Sequence, residues 1–341
     1  MSRAQRANRV YLQWHLTNKC RNRCRHCYQL SYDGVDITTK EAISIIEDFL
    51  YCCNEFDALP VIALTGGDPM LNQDFWSIIK EIKKRAQIDC VSVLGNPEQI
   101  NKENIEKLKP FNLKHFQLSL DGTELTHDYF RYKGSFKRTI QAIEDLSENE
   151  IPVYVMSTIS YQNYLEMPEV MEIAYEHGAT HWMFARWIPS KGDCGIFPGD
   201  YIKFVKRILQ KHRKYEKSGY KRLRKEPLIA RFQDKLLLED QIVVSGGCGM
   251  GSSTITMLPD KTLMACRRHP KSVIGKWSLK ENFLYHFLNN PEMNKYRKIE
   301  RIENCNKCAL LKFCRGCRAA AYVASGKEFQ KDPQCPGPVY I

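Results

Sequence analysis

Three cysteines lie close together in the segment CRNRCRHCY, near the start of the sequence. Cys20, Cys24 and Cys27 follow the spacing Cys-x3-Cys-x2-Cys, with no fourth cysteine nearby. Thiolates at such short spacings are typical ligands of iron–sulfur clusters, which usually take four of them. Three thiolates leave one iron open, so the segment predicts a cluster that binds a ligand from outside the protein. A structural zinc site that includes His26 is the alternative that the same residues allow.

A second group of cysteines occupies the C-terminal part of the chain. Seven of the fourteen cysteines belong to it: Cys248, Cys266, Cys305, Cys308, Cys314, Cys317 and Cys335. Cysteines of a cytosolic protein stay reduced, so clustered ones indicate metal ligation rather than disulfides. A zinc ribbon over residues 305–317 would suit the two Cys-x2-Cys pairs but would leave the other three cysteines without a role. Three further cysteines are interpreted as small buried hydrophobic residues: Cys52, Cys53 and Cys90.

Length and composition indicate the broad class of protein. A chain of 341 residues with 43% hydrophobic residues exceeds the size of one typical core, so we expect two domains. No apolar run approaches the roughly 20 residues that cross a bilayer, and no secretion signal follows the basic start MSRAQRANR. We therefore expect a soluble, cytoplasmic protein with no membrane partner.

The formal net charge of +12 overstates how basic the folded protein would be. Each cysteine that ligates a metal does so as a thiolate and adds a negative charge. The densest basic run, Lys203–Lys225, carries Phe204, Ile208 and Leu209 at helical spacing. We interpret this run as a solvated helix face, with docking of an acidic peptide or partner as the alternative, and we predict no nucleic-acid partner.

Short apolar runs alternate with amphipathic stretches from about residue 10 to residue 187. The predicted strands are 10–17, 61–67, 90–96, 115–122, 153–160 and 181–189, and the predicted helices are 39–53, 73–86, 101–108, 135–149 and 161–177. Six β/α units in series predict an α/β fold with a parallel sheet, either open or curved into a partial (β/α)6 TIM-like barrel.

Two of the predicted strands carry a polar residue at every second position. These residues are Gln13, His15 and Thr17 in the first strand, and His115, Gln117, Ser119 and Asp121 in the fourth. Alternate residues of a strand share one face. A polar inner face predicts a lumen that holds a ligand, with mutual hydrogen bonding of these groups as the alternative.

The order of the motifs along the first 190 residues adds a family resemblance. The cysteine motif directly follows the first strand, the segment Gly66-Gly67-Asp68-Pro69 follows the second, and SLDG follows the fourth. This arrangement resembles the radical S-adenosylmethionine (radical SAM) superfamily. The resemblance implies that the open iron of a [4Fe–4S] cluster chelates the amino and carboxylate groups of SAM.

The same resemblance implies further SAM contacts. Gly66, Gly67 and Asp68 would present backbone to the methionine amino group, although the family more often has glutamate where this chain has Asp68. Ser119 and Arg131 match positions that contact the ribose and the carboxylate of SAM, and His26 matches one that lies along the adenine.

The C-terminal cysteines resemble the SPASM extension of radical SAM enzymes, which carries two auxiliary [4Fe–4S] clusters. The resemblance implies domains at 1–190 (radical SAM barrel), 191–243 (bridging helices) and 244–341 (SPASM). It also implies two sets of cluster ligands: Cys305, Cys308, Cys314 and Cys335 for one cluster, and Cys248, Cys266 and Cys317 for the other. The last Cys-x2-Cys pair departs from the usual x3 spacing, and Lys261 stands where a glycine is expected. The second set is either open to a substrate thiolate or completed by Cys194.

The resemblance implies a radical SAM enzyme that cleaves SAM to a 5′-deoxyadenosyl radical and removes hydrogen from an unactivated carbon. We expect maturation of a ribosomally made precursor peptide through a thioether or carbon–carbon crosslink. A flavodoxin or ferredoxin would be the reductant. Because nineteen residues precede Cys20, recognition of a leader, where the reaction requires one, would depend on a separate protein or on another surface of this chain. The enzyme alternative is oxidation of a protein Cys or Ser to formylglycine, against which Arg267 stands where those enzymes have an aspartate. The alternative of another class is a structural zinc or electron-transfer protein.

Overall fold

The computed structural model describes residues 8–88, 90–188, 195–222, 226–228, 248–311 and 314–337. Its strands are β1 (Asn8–Thr17), β2 (Ala58–Gly66), β3 (Cys90–Leu94), β4 (His115–Ser119), β5 (Val153–Ile159), β6 (His181–Arg186), β7 (Lys221–Arg222), β8 (Thr254–Met257), β9 (Thr262–Met264) and β10 (Val273–Lys276). Its α-helices are α1 (Thr39–Glu55), α2 (Phe75–Lys83), α3 (Lys102–Leu108), α4 (Glu124–Phe130), α5 (Ser135–Glu148), α6 (Met167–Glu176), α7 (Pro198–His212), α8 (Phe283–Leu288), α9 (Pro291–Lys295) and α10 (Arg318–Ser325).

The series of β/α units predicted from the sequence is confirmed. Strands β1 to β6 occupy the six predicted runs, and α1, α2, α3, α5 and α6 occupy the five predicted helices. The short helix α4 has no counterpart in the prediction. No helix within the described ranges is long and apolar enough to span a membrane.

The described strands form one sheet in the order β10-β9-β8-β1-β2-β3-β4-β5-β6-β7. Strands β1 to β7 run parallel to their neighbours, and β8 joins β1 in parallel, with Tyr11 opposite Thr254. Strands β8, β9 and β10 then form an antiparallel meander. The C-terminal part of the chain therefore extends the sheet of the N-terminal part, and the terminal strands β10 and β7 leave the barrel partial.

Apolar side chains on the outer face of the sheet attach the helices. In β1, Leu12, Trp14 and Leu16 are fully buried in the main core, as the alternation in the sequence predicts. Each such residue contributes about 1.5–3 kcal/mol of hydrophobic free energy. The core also includes residues of β8 and α8, such as Met257 and Phe283, so the proposed domain boundaries fall within one continuous hydrophobic core.

Helix α7 covers part of the basic run. Its buried face includes Phe204 and Ile208, whereas Lys203, Lys206 and Arg207 are exposed. For this helix, the interpretation as a solvated basic face is confirmed. Residues 223–225 of the run lie outside the described residues.

A buried ion-pair network joins β6 to the C-terminal segment. The Arg186 guanidinium, 1% exposed, donates to both carboxylate oxygens of Asp332 at 2.8 Å, to Glu226 Oε1 at 2.7 Å and to Gln334 Oε1 at 2.6 Å. Asp332 Oδ2 also accepts from the backbone N–H of Cys317 at 2.7 Å. Burial would raise the pKa of Asp332, but Arg186 lowers it. One arginine thus holds the chain around two of the C-terminal cysteines, Cys317 and Cys335.

We expect Arg186→Met to lower the free energy of unfolding by about 3–5 kcal/mol, because it leaves two buried carboxylates without their cation. Urea unfolding of the anaerobically purified protein measures the change. The matched control is Arg85→Met, which removes surface pairs with Glu47 and Glu81 at 2.6 and 2.9 Å and should cost no more than about 1 kcal/mol. Equal losses in the two variants would contradict the role assigned to Arg186.

Candidate active site

A cavity opens at the carboxyl ends of the parallel strands, where α/β folds bind their ligands. The volume of this cavity is about 290 Å³. Five groups of lining residues come from the N-terminal part: the loop cysteines Cys20, Cys24 and Cys27; their neighbours His26 and Tyr28; the glycines Gly66 and Gly67; the strand residues Gln13, Gln117 and Ser119; and Arg131. Cys266, Arg267 and Arg268 of the C-terminal part line the same cavity.

The three loop cysteines lie between β1 and α1 with donors aimed at their sulfurs. Cys20 Sγ accepts from Asn22 N at 3.4 Å and from Asn96 Nδ2 at 3.3 Å. Arg131 Nη1 lies 3.8 Å from Cys24 Sγ, and Gln29 N lies 3.4 Å from Cys27 Sγ. Burial raises the pKa of Cys20 and of Cys24, while these donors favour the thiolates.

This donor set fits an iron–sulfur cluster. Within the described residues, no three His, Cys, Asp or Glu side chains are grouped closely enough to hold a single metal ion. The thiols face one cavity from a single loop, as ligands of separate irons of a cluster would. N–H donors to the sulfurs are the interactions that tune such clusters.

Close packing of backbone explains the two glycines after β2. A Cβ on Gly66 would lie 2.3 Å from the carbonyl oxygen of Thr17, and one on Gly67 would lie 2.3 Å from that of Lys19. Gly66 also has φ +147°, a value open mainly to glycine. The segment after β2 is therefore pressed against the chain that leads into Cys20.

Asp68 continues this segment as a buried carboxyl. Its Oδ1 accepts from Met70 N at 3.2 Å, and its backbone N–H donates to Lys19 O at 2.8 Å. Burial, and next the nearby Glu98, raise the pKa of Asp68 to about 7. Asp68 therefore borders the cavity wall without being one of the residues that line it.

A buried charged cluster positions Arg131. Arg131 Nε donates to Asp121 Oδ2 at 2.7 Å, and Thr158 N donates to Asp121 Oδ1 at 2.7 Å. Burial would raise the pKa of Asp121, but Arg131, then His26 and His127, lower it to about 2. Burial lowers the pKa of His26, whose Nε2 lies 3.4 Å from Asp121 Oδ2. Asp121 thus connects two of the residues matched to SAM contacts, Arg131 and His26.

Only some of the polar strand residues that were predicted to face the lumen line the cavity. Gln13, Gln117 and Ser119 line the cavity. His15 is buried outside the lining, and His115 stacks on Tyr154 at 3.8 Å and shares a hydrogen bond with Ser92. Both histidines share a strand face with cavity residues, His15 with Gln13 and His115 with Gln117, but neither lines the cavity itself. His115 is the first residue of β4, and stacking and hydrogen bonding occupy its ring at the amino-terminal end of the barrel.

Several cavity residues were not predicted. Asn96 follows β3 in the segment VLGN, and its place after a strand end is the signal that could have indicated it. Asn22, Gln29, Trp187 and Arg268 come from loops or segments far apart in sequence, so no local pattern brings them together.

The structure brings some of the C-terminal cysteines close together. Cys248 lies near enough to Cys266 and Cys317 for both to raise its pKa, after burial, to about 12. Cys305 and Cys308 share a tight turn, Cys308 N donating to Cys305 O at 2.9 Å, and Cys314 and Cys335 are buried in the main core. Cys194 lies outside the described residues. Of the other cysteines, Cys52 and Cys53 are buried as predicted, and Cys90 is partly exposed.

Lys261 stands before Cys266 at the position where a glycine is expected, and its backbone adopts a conformation typical of glycine. Its φ of +68° is the left-handed conformation that favours glycine. Lys261 Nζ pairs with Glu41 at 2.8 Å, on the first turn of α1. Lys261 therefore combines a strained backbone conformation with a side-chain ion pair, which a glycine at this position could not form.

The comparisons with known proteins agree with this geometry. Residues 14–174 match the family described as the Radical SAM superfamily. This segment is a radical SAM domain. The protein is accordingly a radical SAM enzyme, and the family implies SAM and a [4Fe–4S] cluster that binds it.

Relatives extend the similarity along the chain. The AdoMet-dependent heme synthase of Methanosarcina barkeri is 26% identical in an alignment of 345 positions that covers 95% of this chain and 95% of the relative. The antilisterial bacteriocin subtilosin biosynthesis protein AlbA of Bacillus subtilis is 24% identical in an alignment of 322 positions that covers 90% of this chain and 67% of the relative. The structure of Streptococcus suis SuiB bound to S-adenosylmethionine has a TM-score of 0.74 at 14% identity and covers 96% of this chain and 77% of that one. This structural likeness shows that the two chains share a fold.

We expect Gly67→Ala to lower the iron bound per chain after anaerobic reconstitution and to destabilise the protein by about 1–3 kcal/mol, because the new Cβ overlaps backbone that cannot move aside cheaply. Iron and sulfide assays with urea unfolding measure both effects. Gly199→Ala is the matched control, since a Cβ there meets nothing within 4 Å. Full iron content in Gly67→Ala would show that the loop tolerates displacement.

Proposed function

We propose that this radical SAM enzyme oxidatively modifies a ribosomally made peptide, forming a thioether or carbon–carbon crosslink. The observation that carries the proposal is the single cavity shared by the N-terminal loop cysteines and Cys266. Such a crosslink removes two hydrogen atoms from the substrate, so the reaction needs an electron acceptor besides the group that removes hydrogen. A cavity bounded by two cysteine sets suits an oxidation of this kind.

In this proposal, Cys20, Cys24 and Cys27 hold the SAM-binding cluster. With SAM bound, that group supplies the means to remove hydrogen from an unactivated carbon. The chain's own residues would orient SAM: Asp121 holds Arg131 in place for an anionic group, and Gly66 and Gly67 line the cavity with their backbone. Ser119 lines the cavity as the ribose contact requires.

We further propose two auxiliary clusters, the first on Cys305, Cys308, Cys314 and Cys335 and the second on Cys248, Cys266 and Cys317. Two cations, Arg268 and Arg186, lie near Cys317 of the second set. Burial raises the pKa of Cys317, and these two arginines partly oppose that rise. These cations would offset the charge of bound thiolates. The domain boundaries at 190 and 243 stay a prediction.

The names of relatives support a peptide substrate. Relatives include the sporulation killing factor maturation protein SkfB and the mycofactocin maturase MftC.

A second candidate is modification of a heme-type tetrapyrrole. The similarity to AdoMet-dependent heme synthases favours it, because it spans 95% of this chain for two of them. The formylglycine alternative has less support: no Asp or Glu is among the described residues that line the cavity, and Arg267 follows Cys266 where those enzymes have an aspartate.

The remaining partners are proposals from the chemistry. A flavodoxin or ferredoxin would deliver electrons, and a separate protein would present the peptide leader. A cytoplasmic location would keep the cysteines reduced for cluster binding.

Cys24→Ala should abolish formation of 5′-deoxyadenosine, whereas Cys314→Ala should retain some of it without modified peptide, because the two cysteine sets have separate roles. Anaerobic assays with dithionite and chromatography of the nucleoside measure both. Cys53→Ala, a buried cysteine of α1 outside either set, is the matched control and should retain both activities. Nucleoside formation by Cys24→Ala would overturn the assignment of the loop.

Mass spectrometry of small peptides encoded beside the gene, after anaerobic co-expression, tests the substrate. A crosslinked peptide should lack two hydrogens per modified site, and fragmentation identifies the joined residues. The Cys24→Ala enzyme provides the control. Unchanged peptides together with a modified tetrapyrrole in the same cells would select the second candidate.

A further inference from the structure

We propose that Arg267 binds a carboxylate of the substrate beside the carbon that reacts. The inference rests on the proposed function for the identity of the substrate, but not for the existence of the site. It names a chemical class: an acidic side chain or terminal carboxylate of a peptide. The propionate of a heme-type tetrapyrrole offers the same group.

The charge of the cavity wall is the first observation. Four arginines line the cavity, namely Arg131, Arg186, Arg267 and Arg268, and no Asp or Glu is among the described lining residues. Bound thiolates would offset part of this charge at the two cysteine sets. The remaining positive charge favours an anionic substrate.

Three of the four arginines already have partners. Arg131 pairs with Asp121, and Arg186 pairs with Asp332 and Glu226. Arg268 Nη1 donates to the backbone oxygen of Arg186 at 3.3 Å. These three side chains are therefore held by the protein.

Arg267 is different. Its guanidinium carbon lies over the ring of Tyr28, 4.7 Å from the ring centroid, and its Nε is shielded from solvent without a hydrogen-bond acceptor. No ion pair joins it to a carboxylate of the described residues. His15, close enough for Arg267 to lower its pKa further after burial, stays neutral and offers no counter-charge.

These features suit carboxylate capture. A guanidinium held on an aromatic face keeps its N–H edges for a ligand, and it binds a carboxylate through two parallel hydrogen bonds. A half-buried cation without a counter-ion is costly, so a substrate carboxylate would be drawn to it. Because Arg267 follows Cys266 and faces the cavity shared with the loop cysteines, the bound carboxylate would fix the neighbouring carbon between the two cysteine sets.

The first test needs no known substrate. Reconstituted enzyme is treated with phenylglyoxal, which modifies arginine, in the presence of glutarate or of its neutral twin glutaramide, and adducts are quantified by peptide mass spectrometry. Glutarate should slow modification of Arg267 at least about fivefold, because a bidentate pair blocks the guanidinium. Arg301, 4.6 Å over the ring of Phe329, is the matched control and should react at one rate throughout. Failure of glutarate to protect, or equal protection by glutaramide, would overturn the carboxylate site.

The second test uses the substrate found by co-expression. Arg267→Gln should reduce kcat/KM about 10- to 100-fold on an acidic peptide, by loss of a charged hydrogen-bond pair. The same peptide with the acidic residue changed to its amide should lose a similar factor with wild-type enzyme and little more with Arg267→Gln. Arg267→Lys should recover part of the loss. Iron and sulfide content are measured for each variant, so that loss of a cluster is distinguished from loss of the carboxylate contact.

Equal losses on acidic and amide peptides would mean that Arg267 does not contact the carboxylate. If no peptide is modified, the same comparison is made with coproporphyrin III and its tetramethyl ester. Turnover of the free acid alone, sensitive to Arg267→Gln, would retain the carboxylate site while rejecting the peptide as substrate. Turnover of the ester at the same rate would reject the site.

Discussion

Arg186 is a full positive charge buried at the carboxyl end of β6, where water cannot solvate it. Two carboxylates compensate it: Asp332, which also accepts from Cys317 N, and Glu226. Breaking such a network leaves uncompensated buried charge, so the position of the C-terminal segment follows from it. The cavity depends on this link, because Cys266, Arg267 and Arg268 complete a wall that the N-terminal barrel leaves open.

The opposite wall depends on steric exclusion rather than on charge. Gly66 and Gly67 let the chain after β2 lie against the backbone before Cys20, which presses the cysteine loop onto the strand ends. Asp121 connects this wall to the cysteine loop, because it accepts a hydrogen bond from Arg131, and Arg131 lies beside Cys24. A small number of side chains thereby shape one side of the cavity, whose described lining includes four arginines and no Asp or Glu.

In our proposals, the radical SAM domain determines the type of reaction and the C-terminal wall of the cavity selects the substrate. Relatives of similar identity are named both as heme synthases and as maturation proteins, so overall similarity does not separate these substrates. Arg267 stands at the position where formylglycine-forming enzymes have an aspartate. An arginine there would bind an anionic group of the substrate, but it cannot act as the base that removes a proton. The choice of substrate would therefore depend on this one position.

Local sequence patterns were sufficient for the β/α series, the cysteine motif and the Gly66-Gly67 segment, because alternation, capping and short ligand spacings act over a few residues. They were sufficient also for Gln13, Gln117 and Ser119, which share strand faces with their neighbours. Only the tertiary structure showed that His115 is stacked on Tyr154, that β8 pairs with β1, and that Arg267 meets Tyr28 without a carboxylate. Contacts across more than 200 residues of chain depend on the packing of the whole fold, and no local pattern records which charges packing leaves without a partner.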